Sequence, residues 1–373
     1  MLMLKKTIAA LSLLSILAAC QNDENPSQPE PKPRQDINLT RAEQEFMDKG
    51  TDFAFRFFDQ VCSTEKEKPN VFVSPLSASL CLSMITNGAT DNTLAEMQNV
   101  LGFPANTFSL DDLNNYNQKL TSALLDLDNT TQLGIANSIW IEEGFKVYDS
   151  FVDVNKKMYD AQVQELDFTS PTAKDVINQW CATQTNNCIK EVIQEIPADA
   201  RMYLINALYF KGIWKSQFDK SATGQDNFTN VDGSQQKVAM MNQTATFNYT
   251  QTDDFSIAEL PYGNEAFSMV ILLPSGDKTL DESLPSLNYE NWKQWSKNMV
   301  GKELQIKLPR FKVEYDKELE EDMIAMGMKD AFDAYKAKFA NMSGAELYIG
   351  LLQQFTYINV DEEGTEAAAV TVG

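Results

Sequence analysis

Histidine is missing from all 373 residues. Its absence removes Ser-His and Cys-His nucleophile pairs, imidazole general bases and every metal site built on an imidazole ligand. Cysteine is scarce, at five residues, and no two of them stand in a CxxC spacing. Basic side chains are short as well: 31 Lys and Arg face 53 Asp and Glu, a formal charge of −22, which makes nucleic acid and anionic lipid poor partners. No internal repeat is found, and nothing marks a domain boundary after Thr40. What remains is one large acidic globular unit, 43% hydrophobic and 10% aromatic, able to bury a sizeable core without a metal or cofactor.

The N-terminus reads as a processing signal. Lys5 and Lys6 precede an apolar run over residues 8–19 that ends in Leu17-Ala18-Ala19-Cys20, the pattern of a bacterial lipoprotein signal. Residues 1–19 are expected to be removed and Cys20 to carry lipid, the chain's only attachment to a membrane. Residues 20–39 are polar and proline-rich and read as a flexible tether. Acidic residues close behind Cys20 resemble surface-export signals of some outer-membrane lipoproteins, which points to the cell surface, with the periplasmic side as the alternative. Cys62, Cys81, Cys181 and Cys188 are expected as free thiols. The close pair, Cys181 and Cys188, is predicted to sit on a helix and a following strand, beyond the roughly 7 Å that a disulfide spans.

Along the body, Thr40 with Glu43 three residues on forms a capping box that opens a helix carrying Phe46, Phe53, Phe57 and Phe58 on its apolar side. Ser74-Pro75 opens a second helix, stopped at Asn87-Gly88, behind a strand-like stretch at 70–73. Strands are predicted at 132–141, 163–168, 202–209, 255–261, 267–273 and 304–308, with a turn at Pro274-Ser275-Gly276-Asp277. A helix is predicted near 319–327, and a strand-like stretch at 347–359 leads to the last thirteen residues, DEEGTEAAAVTVG.

Those thirteen residues are informative. Thr365, Ala367, Ala369 and Thr371 share one parity and are all small, so as a strand this face enters a packed sheet without steric cost. Three alanines in a row favour helix over strand, leaving the segment conformationally uncommitted. The segment closely resembles the hinge of the reactive loop in serpins. Further blocks resemble the same family in the same order: NVFVSPLSASLCLSMITNGATDNTLAEM at 70–97, IANSIWIEEGF at 135–145, INQWCATQTNNCIKEVI at 177–193 and LINALYFKGIWKSQF at 204–218. They continue with ELPYGNEAFSMVILLP at 259–274, LPRFKVEYDKELEEDMIAMGMKDAF at 308–332 and LYIGLLQQFTYINVDEEGTEAAA at 347–369, so the resemblance covers nearly everything from Thr40 onward.

The resemblance implies an α+β serpin fold with about eight or nine helices and three β-sheets, occupying residues 40–373. It implies a protease inhibitor rather than an enzyme, expected as a monomer. Its exposed loop offers a bait bond to a serine or cysteine protease and, once the enzyme's nucleophile has cleaved that bond and formed the acyl-enzyme, inserts into the central sheet as a new strand with the enzyme covalently attached. The hinge is carried onto Glu362, Glu363, Gly364, Thr365, Glu366, Ala367, Ala368, Ala369, Val370 and Thr371, with Gly364 allowing backbone rotation. Trp214 and Lys211 match the region where the sheet first opens, and Ser74 and Asn206 match a hydrogen-bonded cluster beneath the sheet centre. The family usually completes that cluster with a histidine, and Gln354 stands there instead.

Non-inhibitory relatives often carry charge or proline at the positions held here by Thr365, Ala367, Ala369 and Thr371, and the small uncharged residues at these four favour an inhibitor. A surface binding protein of the same fold is the alternative. The sequence stops at Gly373, short of the expected bait bond, and reads either as a fragment or as the large product of loop cleavage. A rival of another class is a Ser-x-x-Lys hydrolase, on Ser63 with Lys66 or Ser275 with Lys278, although no Lys-Thr-Gly accompanies either pair.

Overall fold

The computed structural model describes residues 32–104, 106–230 and 232–373. The chain begins with helices α1 (Arg41–Thr64), α2 (Pro75–Thr86), α3 (Asp91–Leu101) and α4 (Leu110–Asp126), then strand β1 (Gln132–Glu142). Helix α5 (Asp149–Tyr159), β2 (Ala161–Leu166), α6 (Ala173–Gln184) and β3 (Met202–Ile213) follow. The middle is β-rich: β4 (Gly224–Thr229), β5 (Gln235–Gln251), β6 (Phe255–Pro261) and β7 (Ser268–Pro274). Then come α7 (Leu280–Ser283), α8 (Tyr289–Lys297), β8 (Val300–Pro309), β9 (Phe311–Glu318), α9 (Glu320–Met326), β10 (Gln353–Val360) and β11 (Gly364–Val372).

Six strands form the main sheet in the order β2-β1-β3-β11-β10-β9, antiparallel throughout except for the β1–β2 pair. Five strands form the second, in which β5 pairs with β4, β6 and β8. The two smaller sheets expected from the family are thus one hydrogen-bonded system among the described residues, because the 17-residue β5 is long enough to serve both.

Helix α2 lies beneath the main sheet and is buried on nearly every side, from Ser77 to Thr86. A helix with no charged residue and apolar or small hydroxyl side chains all round has no solvent face and is enclosed, and α1, α3 and α4 contribute Phe53, Phe57, Met97 and Leu113 to the same core. The opposite face of the sheet is covered by α6 and the chain after it, through Ile177, Cys181, Ile189, Val192 and Ile193. Local signals work as chemistry predicts. Thr40 and Glu43 cap each other, and the Ser74 side chain accepts from Ser77 N–H with Pro75 at the first turn.

Three predicted strands are shorter or absent, and in each case other groups take the backbone bonds. Residues 70–73 join no ladder, and the Phe72 carbonyl instead accepts from Thr356 Oγ1 at 2.7 Å. The stretch from Cys188 to Val192, expected as the strand after α6, is not one: Asn178 Oδ1 accepts from the N–H groups of Val192 and Ile193 at 2.9 Å each. In the 347–359 stretch only Gln353 onward is strand, since Ile349 N–H donates to Ala331 and the Leu352 carbonyl accepts from Leu319 N–H. The four cysteines of the body are free. Of the segment read as a tether, Lys32 is docked on the body: its N–H donates to Asn129 Oδ1 at 2.8 Å and its amine to Asp126 at 2.7 Å. Cys20 and the signal lie outside the described residues.

Candidate functional site

The hinge stands as β11, a nine-residue strand between β3 and β10. Both edges are laddered, with Ala368 opposite Tyr209 on one side and Tyr357 on the other, and the pairing runs on to Gly373, whose N–H and carbonyl both bond Leu204. The predicted small face is buried at Thr365, Ala369 and Thr371. The other face is covered too: Ala368, Val370 and Val372 pack into the cluster under α6. Side-chain size is therefore restricted on both sides of the strand, not on the predicted one alone.

Gly364 is needed for a reason other than rotation. Its φ is not in the left-handed region, but a Cβ there would lie 2.0 Å from the Gly212 carbonyl oxygen, a backbone atom that cannot yield. Glycine at this position permits the close approach of two main chains at the point where the ladder begins.

The turn before β11 is tied down at several points. Glu362 has a side chain only 2% exposed, and its carboxylate accepts from Arg310 at 2.5 Å and from Thr223 Oγ1 at 2.7 Å. Burial raises the pKa of this carboxyl, but the hydrogen bonds from Arg310 and Thr223 outweigh it and hold the group below its usual 4.5. Trp214 bridges to the same turn: its N–H donates to the Glu363 carbonyl and its Nε1 to the Asp361 carbonyl, both at 2.9 Å. The indole stacks on Tyr262 at 4.5 Å, and Tyr262 Oη donates to Thr365 Oγ1 at 2.6 Å. Lys211 is exposed on β3 opposite Glu366 and acts on Glu363 through its charge without an ion pair, while Lys220 pairs with Glu363 at 2.5 Å.

Beneath the lower half of the strand, Gln354 uses its whole amide. Its Oε1 accepts from Ser74 N–H at 2.7 Å, and its Nε2 donates to the Ser74 carbonyl at 3.0 Å and to Thr371 Oγ1 at 2.8 Å. Thr371 Oγ1 also bonds Ser77 Oγ at 2.9 Å. Ser74 and Gln354 are thus joined directly, whereas Asn206 is not part of their network: its Nδ2 donates to Asn137 Oδ1 at 2.9 Å. With no imidazole in the site and Glu362 titrating below 4.5, the sign is clear. A depressed folded pKa supplies stability above the unfolded pKa that is lost only as pH falls through the folded value. Denaturation midpoints measured from pH 8 to pH 6 are expected to be flat, and a steep change across that range would show that another group controls the sheet.

Arg310, Thr223, Ser77 and Tyr262 were not predicted. Their partners lie 52, 139, 294 and 103 residues away in sequence, and no local pattern marks such pairings. The Ser-x-x-Lys pairs are not assembled as nucleophile and base. Ser63 Oγ donates to the Gln60 carbonyl and Ser275 Oγ to the Thr252 carbonyl, while Lys278 is held by Asp254.

A family profile described as "Serpin (serine protease inhibitor)" matches residues 48–373. An uncharacterized serpin-like protein of Methanosarcina acetivorans is 35% identical over 86% of this chain and 76% of its own. Serpin B6 of Macaca fascicularis is 36% identical over 81% of this chain and 82% of its own. Among solved structures, the thermophilic serpin tengpin in its latent state superposes with a TM-score of 0.82 at 32% identity, covering 91% of this chain and 90% of that one. A cleaved serpin, Serpin 42Da, gives 0.83 at 29% identity, covering 89% of each chain. With the match spanning everything from Asp48 to Gly373 and relatives above 30% identity over four-fifths of the sequence, this chain belongs to the serpin family.

Proposed function

We propose that this serpin is a suicide inhibitor of serine or cysteine proteases, acting as an exported monomeric lipoprotein held at the outer membrane, on the cell surface, by lipid on Cys20. The observation that carries the inhibitory reading is the fit of β11: nine consecutive residues accepted between β3 and β10, small or apolar wherever they are enclosed. A loop that must enter a sheet before the acyl-enzyme hydrolyses cannot bring bulk or unpaired charge with it. Thr365, Ala369 and Thr371 bring neither, and both threonine hydroxyls find partners on arrival.

The test is to incubate the full-length, unlipidated protein with a panel of serine and cysteine proteases and to boil the products before a denaturing gel. A band at the summed masses is expected with at least one enzyme. Loop cleavage without such a band, across the whole panel, would make the protein a substrate-like or binding member of the family instead. The anchoring reading is checked separately by metabolic labelling with a fatty-acid analogue, with label expected on the wild type and lost on Cys20→Ala. Equal labelling of the two overturns it.

A further inference from the structure

Glu366 is the one charged residue in β11, and it sits close to the end where the strand begins. It lies on the outer face of the sheet, the face crossed by α6. Tyr209 of β3 donates its phenol to Glu366 Oε1 at 2.6 Å. Asn186, in the turn that ends α6, directs its Nδ2 to the same oxygen at 3.4 Å and to Tyr209 Oη at 3.2 Å. The turn holds this amide in place. Asn186 and Asn187 both adopt left-handed φ, 50° and 61°, and Asn187 N–H bonds back to the Ala182 carbonyl at 2.7 Å. Asparagine is among the few residues that take this conformation readily. Two separate elements, β3 and the turn after α6, thus converge on one carboxylate oxygen of β11.

Resting on the inhibitory reading above, we propose that Tyr209 and Asn186 are positioning residues for trapping, which capture Glu366 as the loop enters and commit the strand to the sheet. The contact needs β11 beside β3, so it exists only once the hinge is in. Because Glu366 follows the hinge glycine by two residues, the contact forms at the start of insertion, when the race with deacylation is still open. A hydrogen bond to a carboxylate under partial cover is among the stronger ones available to a protein. The same pair explains how a charged residue is tolerated within an otherwise small and apolar strand: its charge is met by a donor already waiting on the neighbouring strand.

The test uses Tyr209→Phe, Asn186→Gly and Glu366→Gln in the full-length protein. Phenylalanine keeps the ring, and glycine keeps the left-handed backbone while removing the amide. With a protease that the parent traps, Tyr209→Phe is expected to lower the ratio of trapped to released enzyme about three- to tenfold, the scale of one charge-assisted hydrogen bond. The melting point of the uncleaved form is expected to stay put. Asn186→Gly should move the ratio in the same direction by less. A trapping ratio unchanged in Tyr209→Phe overturns the proposal. The second arm does not need inhibition at all. A protease that nicks the loop is used to make the cleaved form, uptake of the loop is verified by its raised melting point, and in that inserted form a double-mutant cycle of Tyr209→Phe with Glu366→Gln should be non-additive in denaturation, while the cycle in the uncleaved form is additive. Additivity in both forms, or equal coupling in both, also overturns it. If no protease is trapped but coupling appears in the nicked form alone, the capture stands and the inhibitory reading falls.

Discussion

On the inhibitory mechanism proposed above, Thr365→Arg is expected to turn a trap into a substrate. Thr365 is 5% exposed and wedged against Tyr262, which is itself stacked on Trp214. An arginine arriving there cannot shed its proton, and an unpaired buried charge costs about 3–5 kcal/mol. At about 1.4 kcal/mol per factor of ten, the insertion step slows on the order of a hundredfold or more while hydrolysis of the acyl-enzyme proceeds unchanged. The covalent band should vanish and the cleaved loop accumulate, with active protease recovered. Thr365→Val, which keeps the shape and loses only the hydroxyl, should retain most of the trapping. A Thr365→Arg protein that still forms the complex at the parental yield would mean that β11 does not enter where it lies here.

Glu362→Lys should be the most destabilising single change in the turn before the hinge. The carboxylate is almost wholly enclosed, whereas Arg310 keeps about half of its side-chain surface in water. Reversing the charge therefore strands a lysine in a pocket built for an acceptor, with Arg310 repelling it and Thr223 left without its partner. The cost of a broken buried pair is about 3–5 kcal/mol, and at about 2–4 °C per kcal/mol for a large domain the apparent melting midpoint should drop by roughly ten degrees. Glu362→Gln, which can still accept from Thr223, should lose far less, about 1 kcal/mol. Adding Arg310→Glu to Glu362→Lys should recover part of the loss. If Glu362→Lys melts within a degree of the parent, the pair is a surface ornament.

How much of this was legible beforehand divides along sequence distance. The capping box at Thr40 and Glu43, the helix start at Ser74-Pro75 and the strand from Phe255 to Pro261 were readable because each is written in adjacent residues. The small parity of the hinge was readable for the same reason. The β9 strand alternates half-buried and exposed residues along its length, and its pattern was passed over. The long β5 is mostly polar and gains its meaning only from partners distant along the chain, above all β8, with which it pairs from Met240 to Tyr249. Resemblance alone groups Asn206 with Ser74, and the geometry gives its side chain to Asn137 instead. Tyr209 and Asn186 looked like an ordinary strand aromatic and an ordinary turn residue, and only the arrival of Glu366 between them assigns a job to either.

The ladder of β11 has a mechanical meaning. The turn at Asp361 to Gly364 stays beside Trp214 at one pole of the sheet, while Gly373 is bonded to Leu204 toward the other. Nine residues at about 3.3 Å each span about 30 Å. If β11 closes its ladder one hydrogen bond after another, as the proposed inhibition requires, whatever is attached beyond Gly373 is carried along the sheet, like a zip drawing its slider. On that reading the length of the strand sets the haul, whatever the cargo.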